Sequence, residues 1–76
     1  MLDEINEILQ NEVFPILKEK YGNFEVEQVE DGIVEILLLK KSYLTPGSCF
    51  EIVDTAERFL KKSINGIQKV VLINDW

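Results

Sequence analysis

A chain of 76 residues with 46% apolar composition is one small globular domain, residues 1–76, near the lower size at which a core supports itself. Fourteen acids against eight bases leave a net charge of −6, which argues against nucleic acid as a partner because phosphate binding relies on Lys and Arg. The lone cysteine, Cys49, excludes an intrachain disulfide and fits a reducing cytoplasm, and no apolar run approaches the roughly eighteen residues that span a bilayer.

The opening Met-Leu-Asp-Glu has no basic region, so no signal peptide is expected. Leu2, Ile5, Leu9, Val13, Ile16 and Leu17, with Ile8 beside them, recur at helical spacing. Asp3 is a candidate cap, and Glu4 and Glu7 suit the positive end of the helix dipole. Pro15 removes one backbone donor and crowds the Asn11 carbonyl, which predicts a kink or a restart. Tyr21-Gly22-Asn23 ends the element.

Phe24 and Val26 alternate with Glu25 and Glu27, which reads as a strand with the aromatic and the valine inward. The two glutamates are expected on its solvent face rather than as a catalytic pair. Val29 breaks the phase, which predicts a bulge or an end of pairing near Gln28. Asp31-Gly32 is a strong hairpin signal, since both residues tolerate positive φ. Ile33 to Leu39 is nearly all apolar, the pattern of a central strand covered on both faces.

The segment Ser42–Ser48 then leads into a second helix. Ser48 with Glu51 fits a capping box, and Thr45-Pro46 is an alternative start one turn earlier. Ile52, Val53, Ala56, Phe59 and Leu60 form the apolar stripe, and Asn65-Gly66 ends the helix. Ile67 to Ile73 is a β-branched third strand, and Asn74-Asp75-Trp76 is a tail. The third strand follows a helical crossover, so it is expected parallel to one strand of the hairpin, with right-handed connection. The expected fold is α+β: a two-layer α-β-β-α-β domain with a three-stranded mixed sheet packed against two helices.

Several of these segments together are similar to one family. Glu12-Val-Phe-Pro15-Ile-Leu17 is similar to its V-R-P-x-L helix, and Gly22 with Phe24-Glu25-Val26 to the end of its D-G-G-D-V-E-L segment. Asp31-Gly32-Ile-Val34 matches its hairpin, and Glu57-Arg58-Phe-Leu60-Lys61 with Ile67-Gln-Lys-Val70 follows its E-x-A-L-K and V-x-x-V pattern. On these residues the chain resembles the C-terminal domain of NifU, an iron–sulfur scaffold. The resemblance implies a cluster held by C-x-x-C and shared between two subunits. Here G-A-C-x-x-C-P-S-S falls on Lys40-Lys-Ser42-Tyr-Leu-Thr45-Pro46-Gly-Ser48. Pro46 and Ser48 match, but both cysteine positions carry hydroxyls, Ser42 and Thr45. Hydroxyls stay protonated at neutral pH and are hard, weak ligands for iron.

No cofactor, metal-ligating residue or catalytic residue is therefore expected. The absence of histidine removes the usual general base and most zinc sites. The expected function is a non-catalytic protein-interaction module, an adaptor or regulator near iron–sulfur cluster assembly, with Ser42, Tyr43, Leu44 and Thr45 as the candidate contact loop. Tyr43 and Leu44 read either as a partner anchor or as part of the core. The alternative is a metal or cluster carrier using Cys49 across a homodimer. Its competing reading is a half-buried residue in the first turn of the second helix.

Overall fold

Pro15 shapes the first helical segment. The computed structural model describes residues 2–39 and 44–74. Helix α1 (Leu2–Ile8) passes into a π-helical turn (Leu9–Val13) and then into α2 (Phe14–Tyr21). The wide turn lies directly upstream of the proline, and the Phe14 N–H donates to the Leu9 carbonyl. Widening the turn accommodates a ring that would crowd the Asn11 carbonyl in a regular helix. It also inserts one residue, so later side chains lag by roughly 100°. Ile16 consequently leaves the apolar stripe expected of it and is 54% exposed, while Phe14 and Leu17 enter the core. The Phe14 ring stacks on Phe24 with centroids 5.5 Å apart. Helix α1 begins at Leu2, so Asp3 lies in the first turn and is not the cap.

Strands β1 (Phe24–Glu30) and β2 (Ile33–Leu38) form the expected hairpin. Asp31 and Gly32 both take positive φ, 52° and 77°. The bulge falls between Val26 and Gln28, and it returns Val29 to the inner face opposite Val34. Helix α3 (Pro46–Ser63) crosses over to β3 (Lys69–Asn74), which pairs parallel to β2 in the order β1-β2-β3. Ile67 falls before the strand, but its side chain is buried. The domain is thus α+β, with the helices packed on one face of a three-stranded mixed sheet.

The core lies between the two layers. Ile5, Leu9, Val13, Phe14 and Leu17 meet Ile52, Ala56 and Leu60 from α3. Phe24, Val34, Ile36, Leu38 and Val70 meet them from the sheet. At the outer edge of the sheet, the Val70 N–H donates to the Glu57 carboxylate at 3.0 Å, and Lys61 pairs with the same carboxylate at 3.3 Å. No helix among the described residues is long and apolar enough to cross a membrane.

The Gly32 carbonyl accepts from the N–H groups of Gln68 (2.7 Å) and Lys69 (3.3 Å). A Cβ on Gly32 would collide with the Gly66 carbonyl oxygen and sit 3.0 Å from the Gln68 side chain. Gly32→Ala is therefore expected to cost about 2 kcal/mol or more, from positive φ and backbone collision together. Gly47 has the opposite context: it is in the first turn of α3, and a Cβ there meets only Thr45 Oγ1 at 3.9 Å. Gly47→Ala should stabilise by about 0.5 kcal/mol. Urea unfolding of both variants checks the signs, and equal effects would contradict this account of the turn.

Candidate interaction surface

Alternation along the strands places Ile33, Glu35 and Leu37 on the face of β2 away from the helices. The pairing carries that face across the sheet in three rows: Glu25, Leu37, Ile73; Gln28, Glu35, Val71; and Glu30, Ile33, Lys69. Ile33, Leu37, Val71 and Ile73 are half-buried but lie outside the core cluster, and Leu39 beyond the strand is 52% exposed. Among the described residues Ile33 to Leu39 is therefore covered on one face only, which corrects the expectation of burial on both. The two helical segments occupy one side, and no described element reaches the other.

The uncovered face is an apolar stripe along β2 and β3 with acids along β1. Its paired positions carry three carboxylates, Glu25, Glu30 and Glu35, and one ammonium, Lys69, while Glu27 is unpaired in the bulge. Among the described residues no Lys or Arg pairs with any of the three. The Gln28 side-chain amide donates to Glu30 at 2.7 Å and anchors the rim. The signal for this surface was in the sequence: Glu35 is the single charge within Ile33–Leu39 and marks the outward parity.

The residues expected to form a contact loop have other roles where they are described. Ser42 and Tyr43 lie outside the described residues. Leu44 is half-buried and packs against the core. Thr45 caps α3: its hydroxyl accepts from the Ser48 N–H at 3.1 Å and donates to the Ser48 hydroxyl at 3.0 Å. The helix thus starts at Thr45-Pro46, and the Ser48–Glu51 capping box does not form. Glu51 instead accepts from the Tyr21 hydroxyl at 2.6 Å, with the Lys20 ammonium 3.4 Å away. This contact ties the end of α2 to the second turn of α3. The hydrogen bond from Tyr21, then that from Lys20, holds the Glu51 carboxyl below its usual 4.5. The same bond, with partial burial, raises the Tyr21 phenol above its usual 10, against a smaller contribution from Ser48.

The residues at the resemblance's ligand positions do not fit an iron–sulfur cluster. The Thr45 oxygen is engaged at the helix start on both its donor and acceptor sides. Cys49 is half-buried in the first turn of α3, and its N–H donates to the Thr45 carbonyl. One thiol per chain supplies two in a pair, against the four usual for a cluster. Among the described residues no three His, Cys, Asp or Glu side chains converge as a metal site would require.

Thr45→Ala is expected to destabilise by about 1 kcal/mol, the usual cost of an N-cap. Glu51→Gln tests the discarded alternative, because a glutamine would preserve a capping box but weaken the bond to Tyr21. The Glu51 carboxylate is held below its unfolded value, so it contributes stability that is present above pH 4.5 and fades as pH falls through the folded value. The phenol works at the other end, with stability present below pH 10 and lost as pH rises through the raised value. Tyr21→Phe should therefore lower the denaturation midpoint at pH 7, and the gap to wild type should narrow towards pH 3. A gap constant across that range would show that the charge on Glu51 adds nothing to its bond with Tyr21.

No protein-family model, no curated protein and no solved structure matches this chain.

Proposed function

We propose that this chain is a non-catalytic protein-interaction module that docks a partner on the open face of its sheet. The observation that carries the reading is the grouping of Ile33, Leu37, Val71 and Ile73 on an uncovered face beside exposed Leu39. A sheet with one wet face ordinarily turns that face polar, and a contiguous apolar stripe left there marks a contact surface. Ile16 and Phe50 are also exposed. The contact surface is thereby moved from the Ser42–Thr45 loop to the sheet, since Leu44 and Thr45 serve the core and the helix cap. A role as adaptor or regulator near iron–sulfur cluster assembly is part of the proposal and rests on the residue resemblance to the NifU C-terminal domain alone.

Affinity capture from the source cells tests the reading, using wild type and a Leu37→Asp plus Ile73→Asp variant. Circular dichroism would verify that the variant remains folded. Proteins retained by wild type should be lost from the folded variant. An unchanged captured set would overturn the proposal.

A further inference from the structure

We propose that the occupant of the open sheet face is a cationic amphipathic helix of another protein, lying along β2 and β3; this inference rests on the interaction-module reading above. Dimensions favour a helix. Six strand residues at about 3.3 Å each give a stripe about 20 Å long, the length of roughly 13 helical residues. Three strands at about 4.8 Å place the outer two about 10 Å apart, close to the diameter of one helix.

Charge sets the partner's sign. Glu35 stands between Leu37 and Ile33 on β2 and beside Val71 on β3. Covering it without a cation would strip a carboxylate of water with nothing in exchange. A helix with apolar residues over Leu37, Val71 and Ile73 and Lys or Arg towards Glu35, Glu25 and Glu30 matches both stripe and rim.

Two other occupants fit less well. A second copy centred on this face would set Glu35 against its own equivalent, with no cation between them. An added β-strand is hindered at both edges, by the bulge between Val26 and Gln28 on β1 and by Glu57 occupying the Val70 N–H on β3.

The test is a nuclear magnetic resonance titration of the isotopically labelled full chain with two synthetic helical peptides about 14 residues long. One is built from Leu and Lys, the other from Leu and Glu with the same apolar face. The Leu/Lys peptide should bind, with the largest amide shifts at Ile33, Glu35, Leu37, Val71 and Ile73. Glu35→Lys should weaken it on the order of tenfold, the worth of one close charge pair at about 1.4 kcal/mol. Glu30→Lys, at the exposed rim, should act in the same direction and serves if Glu35→Lys does not fold. Glu4→Lys plus Glu7→Lys, on the acidic side of α1, should leave binding unchanged.

Absence of Leu/Lys binding, equal binding of the two peptides, or shifts centred on α1 would overturn the inference. A concentration-dependent dimer abolished by Leu37→Asp would do so too, by assigning the face to a second copy. If cellular capture depends on Leu37 and Ile73 while the Leu/Lys peptide fails to bind, the interaction-module reading stands and only the helix assignment falls.

Discussion

The Gly32 carbonyl oxygen ties the hairpin turn to the chain that enters β3. It gathers the Gln68 and Lys69 N–H groups, so the turn of the hairpin also anchors the start of β3. From there Ile33 pairs with Lys69, Val34 with Val70 and Glu35 with Val71. Strand side chains alternate with a period of two, so a slip of one residue would exchange the faces. Such a slip in β2 would move the fully buried Val34 and Ile36 outward and carry Glu35 into the core. The core and the uncovered face therefore share one register, and the Gly32 contact admits no side chain at position 32.

The π-helical turn plays the corresponding part in the helical layer. A regular helix through Pro15 would present Ile16 inward and leave Phe14 towards solvent. The inserted residue reverses this and brings Phe14 against Phe24 at the start of β1. An aromatic contact thus closes the end of the core where α2 turns into the sheet, while Tyr21 and Glu51 join α2 to α3 nearby. What reads locally as the penalty of a proline is, in the packed domain, the device that aligns one helix with two different partners.

Much of this architecture was legible in local chemistry. Asp31-Gly32 specified the turn, the phase break at Val29 marked the place of the bulge, and the stripe from Ile52 to Leu60 specified the buried side of α3. The features that were not legible depend on competition between locally equivalent choices. Thr45 and Ser48 are both good caps three residues apart; Pro46 at the first helical position suits the former, and Tyr21 holds the glutamate that would complete the capping box of the latter. The phase of the first helix changed at Pro15 because a clash has several remedies, and the sequence does not say which. The coverage of β2 was not legible because seven successive positions with one charge describe a strand buried on both faces as well as a strand with one face outside the core. Whether a second layer exists is a property of the whole domain, not of the strand.

Glu35 turns that ambiguity into specificity. On β1 the outward positions Glu25, Gln28 and Glu30 are polar, as a wet sheet face requires; on β2 and β3 the outward positions are apolar except for Glu35 and Lys69. A wholly apolar stripe would attract any greasy segment, including a second copy of the chain. A carboxylate in its middle penalises every such contact that brings no cation, and the acidic rim on β1 repeats the penalty at longer range. In the proposed docking, hydrophobic burial on this face would supply most of the attraction, while the glutamates would decide which segments are allowed to use it. That division of labour would give the one charged residue at the centre of an otherwise uniform apolar strand a role in selecting the partner.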